Sequence, residues 1–138
     1  MEKIKAGEFV RTKDGYIGKC QKIDVYYGDI LIRTELKRII YDFEVVKHSF
    51  NIIDLIEEGD YVNGYRVKEV GIYKEKDVVD IYAFCSNLNE IEHKLINKKW
   101  YILDNMDLLP GRNCKNDSIK SIITKEQFKA MEYMIKEV

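Results

Sequence analysis

Two histidines, three cysteines and a scatter of carboxylates are the residues of this chain best suited to chemistry. His48 and His93 lie 45 residues apart. Glu92-His93, with Asn97 one helical turn further on, has the look of a fragment of a metal-nuclease site. Such a site needs two or three convergent carboxylates or histidines around an open position, and no second cluster stands at a familiar spacing. Cys20, Cys85 and Cys114 form no Cys-x-x-Cys pair, so neither a zinc ribbon nor a redox dithiol is indicated. They read as reduced thiols, with Cys20 and Cys85 buried. No Gly-x-Ser-x-Gly elbow is present, and Gly15-Tyr16-Ile17-Gly18 lies between strands, where a phosphate loop would have to open a helix. Glu57-Glu58 falls in a turn, and Asp54, Asp60, Asp77 and Asp80 serve turns of their own. The expectation is therefore a protein that is not an enzyme, with no catalytic residue, no metal and no cofactor.

Binding is the stronger class. Tyr26, Tyr27, Arg33, Lys37 and Arg38 form a candidate nucleic-acid or nucleotide patch, because small barrels present aromatic and basic residues on an exposed sheet face. Lys94, Lys98, Lys99, Trp100 and Tyr101 form a candidate partner-binding patch. The competing reading of the second is that Trp100 anchors the core while the lysines cover its rim.

Composition frames these candidates. A chain of 138 residues that is 46% hydrophobic and 34% charged, with one Pro, has enough apolar surface to fold unaided and little reason to be disordered. Ten Tyr and five Phe favour strands. The net charge of −1 argues against a globally basic nucleic-acid binder and against an acidic DNA mimic. Lys and Arg number ten against eight acids in residues 1–50, seven against twelve in 51–110, and six against four in 111–138. Met1–Gly7 lacks the apolar core of a signal peptide, and no run approaches the roughly 20 apolar residues that span a bilayer. A cytoplasmic protein without a membrane partner is expected.

The positioning elements read as mainly β. Phe9–Thr12 is a strand, Lys13-Asp14-Gly15 a turn and Tyr16–Ile23 the return strand. Val25–Asp29 turns again, and Ile30–Arg33 is a third strand. Thr34–Ile40 is ambiguous, and Asp42–His48 reads as a strand with Phe43 and Val45 on one face. Ser49 or Asn51 caps one helical turn through Ile52–Ile56. Asn63-Gly64, the strongest two-residue hairpin signal, joins Asp60–Val62 to Tyr65–Tyr73. Val78–Cys85 and Trp100–Leu103 are strands, and Ser86–Lys99 is a helix near 88–98 or a long loop. Ile119–Ile123 is a last strand. Thr124-Lys125-Glu126-Gln127 is a capping box that opens a short helix. Glu132–Val138 either extends it or pairs as an edge strand, and the alternation of Tyr133, Ile135 and Glu137 favours the strand.

One pattern orders the rest. Gly7-Glu8-Phe9-Val10 returns as Gly59-Asp60-Tyr61-Val62, so the chain begins the same kind of β unit twice. The fold class expected is α+β, mainly β: two small SH3-like, barrel-type units with a short helical insertion and a short C-terminal helix. Residues 1–50 make the first unit, 51–58 a linking turn, and 59–138 the second, with 86–116 inserted.

Val46–Ser49, Asn51–Ile56 and Gly59–Tyr65, together with Ile119–Phe128, resemble segments of small accessory proteins of phages and prophages of clostridia and related Gram-positive bacteria. These stretches cover about a third of the chain. The resemblance implies a host-defence inhibitor in the bacterial cytoplasm, an anti-CRISPR type protein in the first instance, whose partner is a host defence complex. A sponge for a cyclic or adenine-containing immune nucleotide, or a nucleic-acid-binding barrel, is the alternative. Specificity is then expected between residues 70 and 118.

Overall fold

The computed structural model describes residues 3–74, 97–104 and 119–137. The chain is mainly β, with two antiparallel sheets and a C-terminal helix. It forms two compact units, Met1–Leu55 with Ile123–Val138, and Ile56–Ile122. The sequence division closed the first unit at residue 50 and assigned 59–138 to the second. The observed grouping returns the C-terminal helix to the first.

The first unit is built on β1 (Phe9–Thr12), β2 (Ile17–Tyr26), β3 (Asp29–Thr34), β4 (Ile39–Tyr41) and β5 (Val45–Ser49). They form one five-stranded sheet in the order β4-β3-β2-β1-β5. β2 carries the bend. Its start pairs with β1, from Ile17 opposite Arg11 to Lys19 opposite Phe9, and its remainder pairs with β3. The register slips between Cys20 and Lys22, and an extra residue there bends and twists the strand. The bend encloses a core of Ile4, Val10, Cys20, Ile32, Ile40 and Val45, with Ile23 packed on it.

Two expectations are corrected here. Asp42–Glu44 is a 3-10 turn and not strand, and only Val45–Ser49 is extended. Glu44 bends back so that its carboxylate accepts the Tyr41 N–H at 2.9 Å, which turns the chain before β5. The helix α1 runs over Lys125–Glu137, so Glu132–Glu137 is helical where alternation had suggested an edge strand. No Gly or Pro interrupts that stretch, and once a capped helix has nucleated each further residue adds a hydrogen bond. Ile52–Leu55 makes the expected single helical turn, of 3-10 type, with Ile53 and Leu55 buried.

The second sheet is built from β6 (Tyr61–Val62), β7 (Tyr65–Ile72) and β8 (Lys99–Leu103) of the second unit with β9 (Ile122–Ile123), in the order β8-β7-β6-β9. The core of that unit includes Ile56, Val62, Val67, Tyr73 and Trp100–Leu103. The Trp100 indole lies over Gly71, its cross-strand partner, and fills the space a side chain there would take. The strand expected at Val78–Cys85 lies outside the described residues, as does the helix or loop expected at Ser86–Lys99 except for its end, where Asn97 is in a turn and Lys99 opens β8. Among the described residues, no helix is long and apolar enough to cross a membrane.

The repeated tetrapeptide folds the same way twice. Gly7 and Gly59 both have φ +94°, a conformation glycine adopts without strain. In the first unit the Glu8 N–H donates to Lys5 O at 3.1 Å, and the Lys5 N–H donates to the Glu8 carboxylate at 2.7 Å. In the second, the Asp60 N–H donates to Glu57 O at 3.1 Å and the Glu57 N–H to the Asp60 carboxylate at 2.7 Å. Gly7 and Gly59 then donate to the returning strand at Cys20 O and Val67 O, and Cys20 and Val67 donate back to Glu8 O and Asp60 O. Both acids are buried, and in each case a turn N–H supplies the carboxylate with a hydrogen bond.

Candidate interaction surface

The inner face of β2–β3–β4 belongs to the core, through Ile23 opposite Ile32 and Ile32 opposite Ile40. Side chains alternate along a strand, so the intervening pairs define the outer face. Leu31 lies opposite both Tyr41 and Asp24, Arg33 opposite both Ile39 and Lys22, and Tyr26 opposite Asp29. Phe43, in the 3-10 turn after β4, stacks on Tyr41 with ring centroids 5.2 Å apart and planes 11° from parallel. Ile39, Tyr41 and Phe43 are 52%, 40% and 64% exposed. Scattered exposed apolar residues are ordinary, but a contiguous set on one sheet face marks an interaction site.

Arg33 on this face and Arg38 in the β3–β4 turn are already paired. Arg33 Nε donates to the Asp24 carboxylate at 2.8 Å, with Lys22 Nζ 3.6 Å from the same group. Arg38 donates to Asp14 at 3.0 Å and lies over the Tyr16 ring, 4.2 Å from its centroid. The Thr12 hydroxyl, and after it Arg38, hold the Asp14 carboxyl below its ordinary value against the opposing effect of burial.

The first expected patch is thereby divided. Tyr26 and Tyr27 occupy the tip of the β2–β3 hairpin, while Lys37 and Arg38 lie in the β3–β4 turn at its other end, about 20 Å away along a six-residue strand. Arg33 lies on the outer face between them. In the second patch the two aromatics are buried. Trp100 is 6% and Tyr101 2% exposed, so both rings belong to the core of the second unit. Lys99 Nζ donates to Ile56 O within that unit, Lys98 is exposed, and Lys94 lies outside the described residues.

His48 meets a partner that the sequence did not announce. Its Nδ1 is 3.0 Å from both Glu8 carboxylate oxygens. Burial pushes the Glu8 carboxyl up, but the Lys5 N–H and His48 outweigh it and hold it below its ordinary value. Burial, and then the Glu8 carboxylate, push the Cys20 thiol above its ordinary value. A nucleophilic cysteine needs the opposite shift and access to solvent, so Cys20 is a core residue. Among the described residues, no three His, Cys, Asp or Glu converge on a metal position. Glu92 and His93 lie outside the described residues.

Comparisons with protein-family models, curated proteins and solved structures find no match for this chain. The surface must therefore be read from its own chemistry. Phe43 and Ile39, two of its exposed apolar members, are not among the residues that the sequence singles out for binding. The sequence places Phe43 on a strand face and Ile39 in an ambiguous stretch. The legible signal is the odd-numbered run Ile39, Tyr41, Phe43, whose first two members share one face of β4 while Phe43, in the 3-10 turn that follows, stacks on Tyr41.

Proposed function

We propose that the chain is a non-enzymatic phage or prophage accessory protein that binds and inhibits a host defence component, an anti-CRISPR type inhibitor in the first instance. The observation that carries the binding role is the contiguous outer face of β2–β3–β4, where Leu31, Ile39, Tyr41 and Phe43 adjoin charges that already neutralise one another. Such a face suits the drier centre of a protein interface, which favours aromatic residues and few free charges. It suits a nucleotide less well, because Arg33 and Arg38 are engaged by Asp24 and Asp14. The defence target follows from the phage-like segments.

The strand order supports the SH3-like reading of the first unit. A bent five-stranded meander passes through a 3-10 turn, and its last strand returns to pair with the first.

The test combines Ile39→Ser, Tyr41→Ser and Phe43→Ser. All three side chains are on the solvent side, so the melting temperature should change little. Inhibition of target cleavage by the host's purified CRISPR effector complexes should fall at least tenfold. A wild-type chain that inhibits none of those complexes removes the proposal. A small molecule released by heat from the purified protein would favour the nucleotide-sponge alternative.

A further inference from the structure

We infer that the tip of the β2–β3 hairpin is a docking finger, with Tyr27 and its neighbours Val25 and Tyr26 entering an apolar recess rimmed by Lys or Arg on a partner protein. The inference deepens the binding role proposed above and depends on that reading only for the partner's class.

The first support is a comparison inside the molecule. The chain makes the same tight hairpin turn twice. Tyr27 and Gly28 have φ +50° and +83°, and Asn63 and Gly64 have φ +53° and +86°. Left-handed backbone at the first turn position favours Asn, Asp or Gly, and a bulky ring there is an outlier. The second turn uses the favoured residue, and its Asn63 side chain accepts the Lys120 and Ser121 N–H groups. The first turn carries a tyrosine that is 89% exposed. Its ring contact is an edge-on approach to Tyr26 at 4.4 Å. A residue held in an unfavourable conformation, contributing little to the fold, points to a role outside the fold.

The second support is charge. Asp24 and Asp29 flank the tip, and the segment between them has no Lys or Arg. The Asp24 carboxylate is held by Arg33 and Lys22, whereas Asp29 is exposed. Asp29 is thus the carboxylate the tip still offers, and it favours a cationic side chain over a phosphate or an anionic lipid headgroup. A cation-rimmed apolar recess on a protein is the complementary shape. Tyrosine fits the role, since it supplies large contact area while few torsions are frozen on binding.

The test has two arms. Tyr27→Asn restores the favoured turn residue and should raise the melting temperature by about 4 °C or more. An unchanged or lower value overturns the inference, because the tip then carries no conformational cost. In the second arm, p-benzoylphenylalanine replaces Tyr27 in bacterial cells, with the same group at exposed Lys13 as control. The expected result is a cross-link to one protein, identified and mapped to an apolar site bordered by Lys or Arg, whose affinity for the purified chain falls at least tenfold with Tyr27→Asn. Cross-links to nucleic acid or lipid, a pattern matching the Lys13 control, or affinity unaffected by Tyr27→Asn would overturn it. If the mapped protein is not a defence component, the docking finger stands and the defence role falls. If Tyr27→Asn leaves inhibition intact while the Ile39, Tyr41 and Phe43 variant abolishes it, the finger falls and the defence role stands.

Discussion

Glu8 is the residue whose environment makes the clearest demand on solution conditions. Its carboxylate is buried, accepts the Lys5 N–H, and faces His48 across β1 and β5. Its folded pKa lies below its ordinary value, so at pH values between the two the unfolded chain binds more protons than the folded one. Stability from this group is therefore complete above the ordinary carboxyl range and is lost as pH falls through the folded value. Chemical denaturation between pH 6 and pH 3 should show a steep decline for the wild type and a shallower one for Glu8→Gln, which starts less stable at pH 6. Arg11 makes a second demand. It is fully buried in β1, donates to Leu55 O at 2.9 Å and pairs with Glu126 at 2.7 Å. Glu126→Ala removes a countercharge from a buried guanidinium and should cost about 2–3 kcal/mol, less than a wholly buried pair because Glu126 is itself partly exposed. Urea titration checks the value. Neither pairing was legible in the sequence. Glu8 and His48 are separated by 40 residues and Arg11 and Glu126 by 115, and contacts of that span depend on register and packing that no local pattern encodes.

At the scale of elements, features with a short-range cause could be read directly. The capping box at Thr124 is present in both directions: the Thr124 N–H donates to Gln127 Oε1 at 3.1 Å, and the Gln127 N–H donates to Thr124 Oγ1 at 3.3 Å. Asn63-Gly64 forms its hairpin, and the two Gly-acid-aromatic-Val segments form matching turns. The four-residue repeat understated that match, since Ile4 and Ile56 sit equally far before their glycines and both are buried. Misreadings arose where alternation was taken as decisive. Phe43 lies in a 3-10 turn because Glu44 caps the Tyr41 N–H, and residues 132–137 continue a helix already nucleated upstream. Gly15 ties two elements together. It has φ +90°, its carbonyl accepts the Thr124 hydroxyl at 2.8 Å, and an added Cβ would overlap that hydroxyl. Gly15→Ala should therefore cost roughly 3 kcal/mol from backbone strain and displacement of the helix cap. A fall in denaturation midpoint with unchanged helix content at low denaturant is the expected signature.

At the scale of the molecule, strand-rich composition and the internal repeat pointed to two small β units, and the structure has two compact units. What could not be read is that the first unit is discontinuous in sequence. Its final piece, Ile123–Val138, follows the whole of the second. Residues 1–58 alone contain every strand of the five-stranded sheet but lack Glu126, which pairs with Arg11, and Thr124, whose hydroxyl donates to Gly15 O. Such a fragment should lack a cooperative thermal transition by circular dichroism, and a sharp transition at the full-length temperature would show that the helix is dispensable.

The Arg11–Glu126 pair also sets an order of events during synthesis. Residue 11 leaves the ribosome 115 residues ahead of its partner, a delay of about 6–23 s at ordinary elongation rates. For that interval the nascent sheet carries the Arg11 guanidinium without Glu126, so the first unit to be made is not the first to be finished. Slowing translation within the second unit would lengthen this exposed phase, and chaperone dependence should rise with it while the mature protein stays the same.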